Sequence, residues 1–175
     1  MQRLFFALWP EPALRRRLFC ETRRLVRRSG GRPVAEADLH VTVVFLGAVD
    51  AARRACCEAA AATLRPAPFT LTLDTVGYWP RARALWLGAT QVPEPLPALA
   101  RSLNEALAVC GFTPEPRPFR PHVTLARKVA QWKGAPAPAP APIPWPAETL
   151  CLVESVTDPA GARYRVLRRW PLAGG

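Results

Sequence analysis

The chain alternates between short apolar runs and longer stretches in which apolar residues recur at helical spacing. Residues 3–9 form a continuous apolar run that ends at Pro10, which predicts a buried strand. Residues 13–28 place leucine and valine at helical spacing among arginines, so they predict an amphipathic helix with a solvated basic face. Residues 39–46 are rich in β-branched side chains and predict a strand that Gly47 closes, and the alanine-rich residues 51–64 predict a helix.

The second half of the chain continues this alternation. Residues 69–78 and 84–87 predict a β-hairpin, and the leucines after Pro93 predict a helix that ends at Cys110-Gly111. Residues 121–126 predict a strand. Residues 134–146 predict a polyproline-like surface loop that forms neither a helix nor a β-sheet pairing. Residues 148–157 and 163–170 predict a final hairpin around a turn at 158–161, and the tail after Leu172 is expected to be disordered.

One tripeptide occurs in both halves of the chain, as His40-Val41-Thr42 and His122-Val123-Thr124, and it contains the only two histidines. At ordinary residue usage the second histidine would repeat the tripeptide with a chance of about one in a few hundred. The repeat therefore indicates two related lobes within a single domain over residues 1–175, with a cleft between two sheets that each contribute one motif. The predicted element order is strand, helix, strand, helix, hairpin, helix, strand, loop and hairpin.

Each copy of the motif sets an imidazole beside a hydroxyl, because side chains two apart on a strand project from the same face. An imidazole exchanges protons near neutral pH, and a threonine hydroxyl donates a hydrogen bond to an anionic oxygen. A single histidine on an apolar strand is more often structural, but the duplication favours catalysis. Two such pairs across a cleft suit phosphoester chemistry without a metal, since one histidine deprotonates the attacking oxygen while the other protonates the leaving oxygen.

The chain is strongly basic, with 24 Lys and Arg against 13 Asp and Glu and a net charge of +11. This balance favours a polyanionic partner such as nucleic acid. Only Lys128 and Lys133 among these cations are lysines, so the high arginine content, like that of proline, also indicates a compositional bias. Charge alone does not decide between attraction to nucleic acid and this bias. Tyr78 and Trp79 lie beside Arg81 and Arg83 at the predicted hairpin end, where packing is favoured over base stacking and phosphate contact.

The five cysteines are odd in number and form no CxxC or CxxxC pair, so the sequence suggests neither a disulfide framework nor a zinc site. A reducing compartment fits this pattern. No apolar run approaches the roughly 18 residues of a membrane span, and the first run is too short for a signal-peptide core. We therefore expect a cytoplasmic protein without a membrane partner.

At the two His-Val-Thr motifs and their flanks, the chain resembles the two-histidine (2H) phosphoesterase superfamily. The signature of that superfamily is a pair of His-x-Thr motifs flanked by apolar residues. It is most similar to the LigT-like branch, the RNA 2′,3′-cyclic phosphodiesterases once named 2′-5′ RNA ligases. The resemblance covers nearly the whole chain, in the segments RLFFALWP, LHVTVVFLG, GYWPRARALWLG, FRPHVTLAR and ESVTDPAGARYRVLRRWPL. The Pro/Ala-rich residues 134–146 depart from the family pattern.

The resemblance implies a bilobal α+β fold of two pseudo-symmetric lobes, with antiparallel sheets lining a central cleft and helices on the outside. It implies that His40 and His122 transfer protons and that Thr42, Thr124 and Arg127 contact the substrate phosphate, with no cofactor or metal. The implied reaction opens a terminal RNA 2′,3′-cyclic phosphate to a 2′-phosphate. Neutral His122 is hypothesised to activate water and protonated His40 to donate to the 3′ oxygen, in a protein expected to act as a monomer.

Three alternatives accompany this hypothesis. The same fold could act on a small cyclic nucleotide or join 2′-5′ linkages in RNA. A non-catalytic RNA-binding module would not require two titratable groups. A zinc site is the weakest alternative, because two histidines without a cluster of cysteines or carboxylates do not complete a ligand set.

Overall fold

A computed structural model describes residues 1–132, 140–158 and 161–173 and confirms the α+β class. The helices are α1 (Pro12–Ser29), α2 (Ala51–Ala62) and α3 (Pro95–Leu107), with 3₁₀ turns at Glu36–Asp38 and Ala108–Cys110. The strands are β1 (Gln2–Leu8), β2 (Arg32–Pro33), β3 (Val41–Val49), β4 (Phe69–Leu73), β5 (Thr75–Trp79), β6 (Ala84–Gly88), β7 (His122–Arg127), β8 (Ile143–Ala147), β9 (Thr149–Asp158) and β10 (Gly161–Pro171).

An eight-stranded sheet runs in the order β10-β9-β1-β3-β7-β6-β5, and β2 also pairs with β7. Every strand pairing in it is antiparallel. The four strands from β10 to β3 join the other group through a single registered pair, Val41 with Val123. Hydrogen bonds thus connect both motif strands within one sheet, so the expectation that two sheets each contribute one motif is wrong. The bilobal description of the molecule stays a prediction.

The core lies between the helices and one face of this sheet. Leu4, Phe6 and Leu8 of β1 point into it beside buried leucines of α1 and α3. The opposite face of β1 carries Phe5 and Ala7, which form a second buried cluster with Trp9, Cys151 and Val153. Because β1 is buried on both faces, residues 4–9 form a continuous apolar run. We call the sheet face that carries the second cluster the site face.

The hairpin predicted from residues 69–78 and 84–87 is partly wrong. Asp74 divides the first segment into two strands, since its carboxylate accepts hydrogen bonds from the backbone and hydroxyl of Thr90. β5 and β6 form a hairpin in the large sheet, while β4 pairs with β8 in a separate two-stranded sheet. The apolar positions change phase at this point, from 69, 71 and 73 to 76 and 78, but the prediction treated the segment as one strand.

The proline-rich segment contains a strand that the sequence analysis excluded. β8 pairs with β4 along its length, with Thr72 opposite Pro144 and Thr70 opposite Pro146. Proline has no backbone N–H, but it is tolerated on an edge strand wherever that group would point away from the partner. Ile143, Trp145 and Ala147 alternate with the exposed prolines and are buried, so the segment follows the two-residue period of a strand. Residues 134–139 of the predicted loop lie outside the described residues.

Two further expectations need correction. Cys56 and Cys110 are joined by a disulfide that links α2 to the turn after α3, although the cysteine spacing suggested none. Gly47 does not close its strand; it lies within β3 at a β-bulge, with the positive φ of 75° that glycine tolerates. The predicted helices and the final hairpin are confirmed, while the tip at 159–160 and residues 174–175 lie outside the described residues.

Candidate active site

The two His-Val-Thr motifs meet on neighbouring antiparallel strands. Val41 and Val123 pair directly, and both are fully buried on the core side of the sheet. One step along this register to either side brings His40 toward Thr124 and Thr42 toward His122, all on the site face. The sequence predicted the pairing of each histidine with its own threonine, and the register adds the crosswise pairing of the two motifs.

Arg127 reaches the same face because β7 contains a bulge. Strict alternation would place Arg127 with Val123 in the core, but Leu125 is an extra residue in the pairing with β6. Leu125 and Ala126 are both buried and Arg127 is exposed, so the strand has changed phase between Thr124 and Arg127. After burial, the positive charge of Arg127 is a further cause of the lowered pKa of both histidines, in agreement with a position on their face of the sheet.

Hydrogen bonds fix the tautomer of His40. Its Nδ1 lies 2.6 Å from the carbonyl oxygen of Asp38, which can only accept, so Nδ1 carries the proton. Nε2 is left with its lone pair and lies 3.2 Å from Oγ1 of Thr42, which donates to it. The nitrogen able to exchange a proton thus points at the hydroxyl of its own motif.

Three aromatic side chains surround His40. Trp9 stacks on the imidazole with ring centroids 5.0 Å apart and planes inclined by 7°. Phe5 lies 5.0 Å away, and Tyr164 meets the ring edge-on at 5.1 Å. Burial among these rings disfavours the imidazolium and, together with the charges of Arg127 and His122, lowers the pKa of His40 from 6.5 to about 4.

His122 has the same tautomer in a less enclosed setting. Its Nδ1 lies 2.8 Å from the carbonyl oxygen of Arg120, again two residues before the histidine. Trp79 meets the imidazole edge-on, with centroids 4.4 Å apart, and Trp86 lies 6.4 Å away. Burial also lowers the pKa of His122, with a smaller contribution from Arg127. Both histidines are therefore mainly neutral near pH 7 in the free protein.

Trp86 occupies its place because strand β5 has a glycine opposite it. Gly77 pairs with Trp86, and a Cβ on Gly77 would lie 2.0 Å from a carbon of the indole. The indole therefore lies flat against bare backbone, next to Trp79 at 5.1 Å between centroids. This packing places both tryptophans beside His122.

Two of the residues around the β5–β6 turn, Tyr78 and Arg83, make structural hydrogen bonds, in agreement with the packing interpretation for these two. The hydroxyl of Tyr78 donates to the carbonyl of Val129, and the guanidinium of Arg83 donates to the carbonyls of Val129 and Lys128. These bonds hold the turn against the end of β7. Lys128 takes a left-handed backbone with φ of 57°, which turns the chain immediately after Arg127.

Sequence reasoning missed the aromatic residues around both histidines. Trp9 is separated from His40 by a whole helix, and Tyr164 comes from the final hairpin. Only the position of β1 between β3 and β9 in the sheet brings these residues together. Trp79 carried a sequence signal, since it belongs to the aromatic and arginine cluster at the predicted hairpin end.

The described residues contain neither a cluster of metal ligands nor a membrane-spanning helix. In residues 1–132, 140–158 and 161–173, no group of three or more His, Cys, Asp or Glu side chains is placed to hold a metal ion. Across the same part of the chain, no helix is long and apolar enough to cross a membrane.

An α+β fold that sets two His-x-Thr motifs side by side on one sheet face is the arrangement typical of two-histidine phosphoesterases. The chain belongs to the 2′-5′ RNA ligase superfamily, whose family model it matches over residues 10–159.

Similar proteins of known structure or name agree with this assignment. The RNA 2′,3′-cyclic phosphodiesterase of Escherichia coli (strain K12) is 36% identical over 171 residues, which cover 98% of this chain and 97% of that protein. The protein of the same name from Thermus thermophilus is 32% identical, with 98% of this chain and 91% of the relative covered. The crystal structure of E. coli LigT complexed with 3′-AMP superimposes with a TM-score of 0.89 at 36% identity, covering 98% of both chains.

Proposed function

We propose that this protein is an RNA 2′,3′-cyclic phosphodiesterase that hydrolyses a terminal cyclic phosphate to a 2′-phosphomonoester. The observation that carries the proposal is the pair of neutral imidazoles on adjacent strands, each held through Nδ1 by a backbone carbonyl. This arrangement leaves both Nε2 atoms available for proton transfer. The names of the full-length relatives supply the substrate class.

In the proposed reaction one imidazole removes a proton from water, whose oxygen forms a new bond to phosphorus. The bond from phosphorus to the 3′ oxygen breaks. The other histidine, which is protonated, gives its proton to that oxygen. Thr42, Thr124 and Arg127 hold the phosphoryl oxygens, through hydrogen bonds that strengthen when the acceptor is charged. Each proton transfer contributes about 10² to 10⁴ in rate.

The acid must be protonated, although both histidines are mainly neutral in the free protein at pH 7. The anionic phosphate of the substrate stabilises an adjacent imidazolium and raises its pKa on binding. We retain His122 as the base and His40 as the acid. A substrate with sulfur in place of the 3′ oxygen tests this assignment, because a thiolate leaves without protonation. That substrate should reduce the defect of His40→Ala; a reduced defect in His122→Ala would exchange the roles.

The decisive assay follows an RNA oligonucleotide that ends in a 2′,3′-cyclic phosphate, in EDTA, with the product isomer identified. The wild type should form the 2′-phosphate in the presence of the chelator, and His40→Ala and His122→Ala should each lose at least about 10²-fold in kcat. Val109→Ala, an exposed apolar residue in the turn after α3, is the matched control. Activity that disappears with EDTA, or survives both substitutions, would contradict the two-histidine mechanism.

The family description makes 2′-5′ ligation the second candidate. Ligation would be the same ring opening with an RNA 5′ hydroxyl in place of water: the 5′ oxygen bonds to phosphorus, and the 3′ oxygen leaves with a proton. Incubation of a cyclic-phosphate oligonucleotide with a 5′-hydroxyl oligonucleotide should give hydrolysis faster than joining. We further propose a cytoplasmic, monomeric protein; cell fractionation and analytical ultracentrifugation test these two properties.

A further inference from the structure

Phe45 is an aromatic side chain exposed on the site face. It is 56% exposed, and no other aromatic side chain in the described part of the chain is as accessible. Phe45 pairs across the strands with Phe5, whose ring contacts His40. Residues directly opposite in an antiparallel pair project from the same face, so Phe45 stands on the side of the sheet that carries both motifs.

The position of Phe45 continues the line of the active-site residues along β3. A β-bulge between the pairs of Thr42 and Val44 adds one residue to the strand, so His40, Thr42 and Phe45 share the site face despite their uneven spacing. Three residues of strand separate Thr42 from Phe45, which corresponds to about 10 Å. A nucleic acid strand bound with its terminal phosphate at Thr42 can therefore run along β3 and over the ring.

Arg3 gives this position a positive charge. Its guanidinium carbon lies 5.2 Å from the centre of the Phe45 ring, in a cation–π contact. Arg3 is itself exposed, and within the described residues it forms no ion pair with an acidic side chain. Since Phe45 is more than half exposed, part of its ring remains accessible beside the guanidinium.

We propose that Phe45 and Arg3 bind the nucleotide before the terminal one, which carries the cyclic phosphate. The base of this nucleotide stacks on Phe45, and the phosphate that links it to the terminal nucleotide lies beside Arg3. Single-stranded nucleic acids are commonly held by aromatic rings and arginines in this combination. The site makes the protein selective for oligonucleotides over cyclic mononucleotides. This proposal rests on the proposed function, because it assumes an RNA terminus at the two histidines.

The test compares a dinucleotide that ends in a 2′,3′-cyclic phosphate with the corresponding cyclic mononucleotide. Phe45→Ala should lower kcat/KM for the dinucleotide roughly tenfold, as expected for the loss of one stacked base, and leave the mononucleotide unchanged. Phe45→Trp should retain the preference and Phe45→Leu should lose it. Arg3→Gln should weaken the dependence of dinucleotide hydrolysis on salt.

Val109→Ala serves again as the control for loss of an exposed apolar side chain. An equal loss on both substrates would overturn the proposal, since the ring would then contact the terminal nucleoside. No loss on either substrate would also overturn it. If the wild type hydrolyses neither substrate, the proposed function fails, and calorimetric binding of the dinucleotide to wild type and Phe45→Ala still decides the stacking site.

Discussion

The residue with the strongest constraints in this protein is His40. Its imidazole is enclosed by Trp9, Phe5 and Tyr164, and its Nδ1 is bound to the Asp38 carbonyl. Trp9 acts as a positioning residue, since it holds the ring and also removes water from it. The two histidines are the only ones in the chain, so each can be observed separately by NMR.

Replacement of Trp9 by leucine should raise the pKa of His40 from about 4 toward its ordinary value, because water then reaches the imidazole. The pKa of His122, which Trp9 does not contact, should remain below 6.5. An NMR titration of the imidazole Cε1 protons measures both. Phe19→Leu, a partly buried residue of α1, is a control for general loosening of the fold. An unchanged His40 titration would show that the stacked indole does not control this pKa.

The same burial predicts how stability depends on pH. Because the pKa of His40 is depressed in the folded state, its contribution is present above the unfolded pKa of 6.5 and is lost as the pH falls toward about 4. From pH 7 to pH 5 this loss amounts to about 2 kcal/mol in the free energy of unfolding. Urea unfolding at both pH values should show a smaller difference for His40→Gln. An identical difference in that variant would assign the effect to other groups.

At the level of single elements, the bulges decide which side chains reach the site. The bulge at Leu125 brings Arg127 to the site face, and the one between Thr42 and Val44 does the same for Phe45. An alternating pattern cannot show where an extra residue enters a strand. Arg127 was identified only by its place in the family motif, whereas Phe45 was not identified at all.

The pairing of Gly77 in β5 with Trp86 in β6 is open to a direct test. A methyl group at Gly77 would meet the indole, so Gly77→Ala should displace Trp86 and Trp79 and lower both stability and kcat. Trp86→Leu removes the clash, and the double variant should be less impaired than the sum of the single variants predicts. Thr75→Ala in the same strand is the control. Strict additivity would show that the two residues do not interact.

The Cys56–Cys110 bond should stabilise the helical layer without affecting catalysis. It closes a segment with a sequence separation of 54 and links α2 to the turn after α3, on the side of the sheet away from the site face. The Cys56→Ser/Cys110→Ser variant should be less stable by about 2–4 kcal/mol and keep its activity on a cyclic mononucleotide. Thermal unfolding with and without reductant measures the effect. Cys20→Ser, an exposed free cysteine, is the control, and equal stability of all three proteins would exclude a role for the bond.

Several elements could be predicted from the sequence because local pattern and burial agree. α1 and α3 have leucines on one face, α2 is rich in alanine, and the motif strands are rich in β-branched residues. β8 could not be predicted, since its prolines are acceptable only because it pairs on one side with β4. The division at Asp74 coincides with a change of phase in the apolar positions, whereas its hydrogen bond to Thr90 could not be read from local propensity.

For the whole molecule, sequence distance says little about position in the sheet. β1, near one end of the chain, is hydrogen-bonded to β3 on one side and to β9 on the other. The motif strands were predictable one at a time, and the repeat indicated that they act together. The aromatic enclosure of His40, just before β3, was not predictable. It combines Phe5 of β1, Trp9 directly after β1 and Tyr164 of β10.

The central place of β1 has a consequence for biosynthesis. One edge of β1 can pair with β3 early in translation, but its other partner, β9, is made near the end of the chain. Until the ribosome has supplied β9 and β10, Tyr164 is missing and His40 lies open to water. We therefore expect that a nascent chain containing both His-Val-Thr motifs lacks the full aromatic enclosure of His40 until the last hairpin has folded.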